Sequence, residues 1–394
     1  MKHIGVFFGG RSCEHDVSII TGLQAMEHLD RERYQVHPVY LARDGRWYTG
    51  DGLFQVAIFT DFTLGEGIRP CRLSQIPEEG LILEGEAQPL HLDAALLCMH
   101  GMHGEDGSLQ GLLEMSDIPY TSAGVGGSAA GMDKALMKKV FLGCGFPSVP
   151  YVAFYRKSFE ADAASVATEA EGKIGFPAYV KPASLGSSIG ITKATDRKGL
   201  LDALELAFSY DRKVIVERGV ENPMEINCSV LGMDGEAEAS LCEKPLGWQE
   251  FLTFEDKYLR GGKGDGAKGD GKLAGKTREI PADIPEELTQ RIRTMAVDIF
   301  HALDCKGVVR IDFLVDHNSG ELFVNEINTI PGSLAFYLWE PKGLSYGQLL
   351  DRMIALAEES LLEKKKNSYA FESVLLNSMK DQRFGKLGGK GKRS

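Results

Sequence analysis

Gly307-Val-Val-Arg-Ile-Asp-Phe-Leu-Val-Asp316, followed after Asn318-Ser319-Gly320 by Glu321-Leu-Phe-Val-Asn-Glu-Ile-Asn328, reads as two strands joined by a turn. β-Branched and aromatic residues fill both arms, and a Gly-ended break separates them. Strand side chains alternate between faces, so Arg310 and Asp312 share a side, as do Glu326 and Asn328. A three-residue loop ending in Gly places Asp312 across from Glu326 and Arg310 across from Asn328, whereas a two-residue loop puts the pairs on opposite faces. In the first register two carboxylates oppose each other, which is destabilising unless a cation lies between them. Two hard acidic groups plus an amide oxygen suit Mg²⁺. Taken alone, the stretch reads equally as an amphipathic hairpin with a wet face.

Composition narrows the class. The chain has 394 residues, 43% hydrophobic and 25% charged, enough for two or three domains with more than one core. A net charge of -12 argues against a nucleic-acid partner, because duplex binding needs a basic face. Seven scattered cysteines without a CxxC pair read as reduced thiols of the cytoplasm. The apolar run at the N-terminus is too short for a signal peptide and no segment is long enough to span a bilayer, so a cytoplasmic protein is expected.

Ile4-Gly-Val-Phe-Phe8 has the continuous apolar character of a buried parallel strand, and Val17, Ile20, Leu23 and Met26 recur behind it at helical spacing. Between them lies Gly9-Gly-Arg-Ser-Cys-Glu-His-Asp16, a strand–loop–helix junction of the kind that holds small ligands in α/β folds. No GxGxxG is present, which disfavours a dinucleotide. Glu14 reads as a carboxylate for a substrate ammonium or as a residue favouring the helix dipole. Ala94–Cys98 runs into a second Gly-rich polar loop, His100-Gly-Met-His-Gly-Glu-Asp-Gly-Ser-Leu-Gln-Gly111, whose density of ionisable groups suggests function.

A helix over 132–141 opens a second unit. Lys181 at the end of a strand there and Lys134 read as phosphate partners, and Gly186-Ser187-Ser188 offers small residues and backbone N–H groups that can close over phosphate oxygens. Glu217 and Glu225 read as hydrogen-bond acceptors for a nucleoside or as solvated charges. Residues 260–275 are nearly all Gly, Lys and Asp, the composition of a mobile surface loop that could act as a lid. Asp283 is predicted to cap a helix with Pro285 in its first turn, and a final amphipathic helix carries Leu349, Met353, Ile354 and Leu356. From Lys364 the chain becomes a basic, Gly-rich tail that is expected to be partly flexible.

GGRSCEHDVS, HGMHGEDGSLQG, MDKALMKK, VKPASLGSSIGI, FEDKY and RIDF with NEINTIPG, occurring in this order, resemble the D-alanine:D-alanine ligases of the ATP-grasp superfamily over roughly residues 1 to 360. The resemblance implies an α/β and α+β, three-domain ATP-grasp fold with a Rossmann-like domain at 1–127, a central subdomain at 128–213, a catalytic domain at 214–363 and the tail at 364–394. It implies ATP and two Mg²⁺ ions, with Mn²⁺ as an alternative, and a homodimer acting on D-alanine. Glu14 matches the group orienting the first D-alanine, together with Ser187 and Tyr258, and His100 a substrate-site histidine. Lys134, Lys181, Ser188 and Lys257 match nucleotide or phosphate contacts, and Glu217 and Glu225 the adenine and ribose contacts. Asp312, Glu326 and Asn328 match metal ligands, and Arg310 and Gly332 the groups at the developing oxyanion.

One segment departs from the family. Ser333-Leu-Ala-Phe-Tyr-Leu-Trp339 stands where a Ser/Thr-rich stretch usually holds the acceptor carboxylate, so Ser333, Tyr337 and Leu338 are the acceptor-site candidates. The leading expectation is a Mg-ATP-dependent ligase forming D-alanyl-D-alanine for peptidoglycan. Alternatives are a D-alanine ligase with D-serine, D-lactate or another amino acid as acceptor, a non-catalytic nucleotide-binding regulator, and more distantly a nicotinamide dehydrogenase.

Overall fold

The computed structural model describes residues 1–246 and 278–368, with 370, 373 and 375. Three sheets organise it. The first contains β1 (Lys2–Gly9), β2 (Tyr34–Leu41), β3 (Trp47–Thr49), β4 (Arg69–Leu73), β5 (Leu81–Leu83) and β6 (Ala94–Leu97), in the order β5-β4-β3-β2-β1-β6. Only β2, β1 and β6 run parallel; β3 to β5 return as an antiparallel meander. The Rossmann-like character is therefore confined to one half of the sheet, where α1 (His15–His28) follows β1 and α2 (Ser108–Met115) follows β6.

After α3 (Val125–Met132) and α4 (Lys134–Gly143), the second sheet is built from β7 (Tyr151–Tyr155), β8 (Ala178–Pro182), β9 (Thr192–Ala194) and β10 (Lys213–Arg218), with α5 (Arg156–Ala161), α6 (Ala163–Ile174) and α7 (Arg197–Tyr210). Asp133 caps α4 by accepting from the N–H groups of Ala135 and Leu136, so Met132, the expected start of that helix, instead ends α3. The expected unit 128–213 shifts at both ends. Met137 and Phe141 of α4 pack into the core of the third sheet, and β10 pairs with both β7 and β8. The second unit thus comprises the sheet and helices between Tyr151 and Arg218.

The third sheet contains β11 (Pro223–Met233), β12 (Glu236–Pro245), β13 (Arg278–Glu279), β14 (Gly307–Asp316) and β15 (Leu322–Asn328), in the order β13-β12-β11-β14-β15. Ile226, Cys228, Val230, Val309, Ile311 and Phe313 cover one face and pack on Ile292, Ala296, Ile299 and Phe300 of α8 (Glu286–Ala302). That helix starts two residues later than its Asp283 cap would give, with Pro285 at the N-cap. A 3-10 segment (Gly332–Leu338) and α9 (Tyr346–Lys364) close the chain against the first sheet. Among the described residues no helix is long and apolar enough to cross a membrane. All seven cysteines are free thiols.

Candidate active site

The hairpin of β14 and β15 does not turn in three residues. Asp316 and Glu321 pair through Asp316 N–H to Glu321 O at 2.9 Å, leaving 317–320 as a four-residue turn. That spacing alone would set Asn325 opposite Asp312 and send Glu326 to the core face. A β-bulge restores the expected partners: Phe313 pairs with Val324, but Asp312 pairs with Glu326 and Arg310 with Asn328. Asn325 is the extra residue, and bulges re-aim side chains in this way. Val324 and Ile327 both remain in the core on α8's side, three residues apart.

Polar groups therefore line the other face in cross-strand rows. Glu243, Asn227, Asp312 and Glu326 sit at successive positions on β12, β11, β14 and β15. Arg310 grips Asp312 through Nε at 2.6 Å and Nη2 at 2.7 Å, and Asn328 Nδ2 donates to Asp312 at 3.0 Å. With its amide nitrogen turned to the carboxylates, Asn227 donates to Glu225 at 3.1 Å and to Asp312 at 3.2 Å. Among the described residues no three His, Cys, Asp or Glu side chains gather at one point. Two carboxylates and an amide on one face nevertheless supply the hard oxygen donors that suit a divalent ion.

The second sheet supplies the opposite wall. Lys181 and Glu217 project from the face that its apolar side chains leave uncovered. Glu217, 3% exposed, is held by Lys181 at 2.7 Å and by the fully buried Lys138 at 3.1 Å. Burial pushes the Glu217 carboxyl up, but the two ammonium groups more than reverse it and hold it below the usual glutamate range. Burial likewise opposes the charge on Lys181, yet Glu217 and Glu326 raise its pKa overall, while burial dominates at Lys138 and lowers it. The carboxylate expected beside adenine is thus committed to two lysines. Lys181 reaches across the cleft to Asn325 at 3.4 Å, and Lys134 lies 3.3 Å from Glu326 while donating to Leu185 O at 2.9 Å.

Glu14 lies at the third edge. Its side chain does not cap α1; Ser187 Oγ donates to it instead, bringing the first unit to the 183–191 loop. Gly101 and Gly186 make room, since a Cβ on either would fall 2.6 Å from Glu14 Oε2. Ser187 and Ser188 both have left-handed backbones, at φ 52° and 58°. Glu105 stands near Glu14 and accepts from Gly101 N–H at 2.9 Å and Ile330 N–H at 3.0 Å; burial first, then Glu14, pushes its carboxyl up to about 8.

His100 is buried and fully engaged. Its ring contacts Ile330 O through Nδ1 at 2.9 Å and Thr21 Oγ1 through Nε2 at 2.8 Å, and Thr21 Oγ1 accepts from Ser333 N–H at 3.2 Å. Burial lowers its pKa to about 4, so the neutral ring donates to Ile330 and accepts from Thr21. His100, expected at the substrate site, holds the 330–333 backbone. Ser333, Leu334 and Ala335 then form a left-handed run at φ 50°, 53° and 52°. Each such residue costs about 1–2 kcal/mol, so the surrounding bonds must impose the run. Ser333 Oγ donates to Gln24 at 2.8 Å, and Gly332 leads the turn. Leu338 is fully buried. Tyr337 lies among Arg310, Glu243 and Arg278, whose guanidinium carbon is 4.0 Å from the ring centroid.

Lys257 and Tyr258, and the expected lid at 260–275, lie outside the described residues. Lys138, Asn227, Glu243, Glu105, Arg278 and Thr21 were not singled out from sequence. For Lys138 a signal existed, because it follows Lys134 by one helical turn. A cavity of about 480 Å³ among His37, Thr49, Asp51 and Arg69 in the first sheet touches none of these groups.

Two sheets closing on a cleft, one bringing lysines and the other carboxylates, define an ATP-grasp protein. The chain belongs to the D-alanine–D-alanine ligase family: the family's N-terminal model matches residues 3–123 and its C-terminal model residues 140–355. A D-alanine–D-alanine ligase of Thermoanaerobacter sp. (strain X514) is 40% identical over 92% of this chain and 98% of its own length. One from Thermosipho africanus is 36% identical over 96% of this chain and 99% of its own. The D-alanine–D-alanine ligase structure from Coxiella burnetii superposes with a TM-score of 0.77 at 29% identity, covering 93% of this chain and 98% of that one. The VanG D-Ala:D-Ser ligase from Enterococcus faecalis gives 0.76 at 31% identity, covering 90% and 99%.

Proposed function

We propose that this protein joins two D-alanines to D-alanyl-D-alanine at the expense of ATP, through an acyl phosphate, for peptidoglycan precursors. The reading rests most on the cleft where Lys181 from one sheet meets the Asp312–Glu326 face of the other. A carboxylate is a poor electrophile, so the first D-alanine takes the γ-phosphoryl group of ATP before its carbon can be attacked. Phosphoryl transfer needs positioning and charge neutralisation more than covalent help. Lys134, Lys181 and Lys257, with the loop N–H groups at Ser188, hold the phosphates, and Glu225 takes the ribose. Glu217 acts by keeping Lys181 charged. Asp312, Glu326 and Asn328 hold two Mg²⁺ ions, with Mn²⁺ as a substitute; when bound, these neutralise phosphate charge.

Glu14 receives the ammonium group of the first D-alanine, oriented by Ser187 and Tyr258. The neutral amine of the second D-alanine attacks the acyl carbon; the C–N bond forms, the acyl C–O bond breaks with its electron pair leaving on the phosphate oxygen, and the proton given up by the amine nitrogen passes to the departing phosphate. Arg310 and the Gly332 backbone N–H face the developing oxyanion, an interaction worth about 3 kcal/mol per donor. The 331–338 turn is the acceptor side, with Ser333 and Tyr337 the residues there that present polar atoms. The same reading takes the protein as a cytoplasmic homodimer.

ADP release with D-alanine as sole amino acid tests this directly. Turnover is expected in the wild type and is expected to vanish in Asp312→Asn; an unchanged Asp312→Asn rate would instead favour a non-catalytic nucleotide-binding regulator. A second reading, a D-serine or D-lactate acceptor, is favoured by the departure at 333–339 and by the similarity to a D-Ala:D-Ser ligase. Product masses from D-alanine mixed with either acceptor decide between the two.

A further inference from the structure

Resting on the ligase reading, we propose that Arg278, docked on the ring of Tyr337, is the cation that receives the carboxylate of the acceptor amino acid. The acceptor attacks through its amine and keeps its own carboxylate ionised throughout. Brought beside Asp312, Glu326 and Glu243 and partly stripped of water, that carboxylate needs a cationic partner.

Among the described residues, the other basic groups of the cleft are already engaged. Arg310 spends Nε and Nη2 on Asp312. Lys138 and Lys181 share Glu217, and Lys134 binds Leu185 O beside Glu326. Arg278 is held differently. Its ion pair with Glu243 is long, at 3.5 Å, and its guanidinium packs on the Tyr337 ring with the carbon 4.0 Å from the centroid. About a third of its side chain is exposed (34%) against 5% for Glu243. A guanidinium on an aromatic ring keeps its edge N–H groups for a carboxylate, and the planar fork suits one bidentately.

Placement supports the role. Tyr337 stands beside both arginines, its ring carrying the guanidinium of Arg278 and its hydroxyl acted on by Arg310, the group at the oxyanion position. β13 anchors Arg278 by pairing it with Pro245 at the end of β12, the strand carrying Glu243. Glu243 thus lies 3.5 Å from Arg278 while the Tyr337 ring supports its face.

The test uses the full-length protein with D-alanine as donor and either D-alanine or D-alaninamide as acceptor. The amide lacks the carboxylate and cannot serve as donor. Arg278→Ala is expected to lower the kcat/KM preference for D-alanine over D-alaninamide by about tenfold to a hundredfold, the range of a charge-assisted hydrogen bond. The loss should fall on KM of the acceptor site and leave KM for ATP and for the donor site in place. Arg278→Lys keeps the charge without the fork and should lie between, and it carries the test if the alanine variant folds poorly. An unchanged preference in both variants, or an equal fall with both acceptors, overturns the assignment. Wild-type protein that forms no dipeptide removes the ligase reading and this assignment with it, whereas wild-type turnover with unaltered variants removes this assignment alone.

Discussion

Lys138, Glu217 and Lys181 show how one buried charge set divides into a structural and a working part. Lys138 is fully buried, and burial pulls its pKa down; Lys181 stands at the cleft with its charge reinforced by Glu217 and Glu326 over the opposing effect of burial. Removing one partner of a buried pair costs about 3–5 kcal/mol, because the other is left uncompensated. Lys138→Met is therefore expected to lower stability by that order, read as a shift in the urea midpoint. The acid limb provides a second check. Glu217 has a folded pKa below its ordinary value of 4.5, so its contribution is present above that value and is lost as pH falls through the folded pKa. Glu217→Gln should flatten the pH dependence of the urea midpoint below pH 4.5; an unchanged slope would refute the role given to the two lysines.

Between elements, the decisive device is the bulge in β15. Alternation in the sequence correctly paired Arg310 with Asp312 and Glu326 with Asn328, but it could not reveal that a four-residue turn and one extra residue combine to bring the pairs face to face. A bulge follows from backbone geometry, and Asn325 carries no residue-type signature of one. The link from α1 to the 3-10 segment was hidden for a similar reason, since a buried threonine in mid-helix reads as core. Thr21→Val keeps the shape and leaves the Ser333 N–H and His100 Nε2 without that partner, an expected cost of about 1–3 kcal/mol. His100 adds a pH signature of opposite origin to that of Glu217. Its folded pKa of about 4 lies below the ordinary 6.5, so the neutral ring's contribution is complete above pH 6.5 and is lost as pH falls toward 4. The span corresponds to about 3 kcal/mol, and His100→Asn should remove that part of the acid sensitivity in urea titrations between those limits.

Across the whole molecule, core membership differs from the division expected along the chain. The first sheet shares its core with the 332–338 segment and α9, and ion pairs from Lys2 to Glu358 and Lys364 to Glu114 fasten the last helix to the first unit. The family motifs identified the ATP-grasp architecture, but motif order says nothing of which helices pack where, and α4 joins the third sheet's core although it precedes the second. The unit between Tyr151 and Arg218 has a core of its own, including Phe154, Val180, Leu204 and Val216. Its ties to the rest include polar ones: Lys181 to Asn325 and Ser187 to Glu14 across the cleft, and the buried pair of Lys138 with Glu217. Polar ties open at less cost than a shared apolar core, so this unit should exchange its amide hydrogens as a cooperative block of its own. A nucleotide bridging both walls adds RT ln(1 + [L]/Kd), about 2.7 kcal/mol at a hundred times Kd. Mg-ATP should therefore slow exchange in β8 and β10 and raise Tm, and Lys181→Ala should abolish both effects. Lys364→Ala, far from the cleft, should leave the nucleotide-dependent shift intact while lowering the baseline Tm. Equal Mg-ATP protection in Lys181→Ala and the wild type would show that the cleft between the two sheets is not where the nucleotide binds.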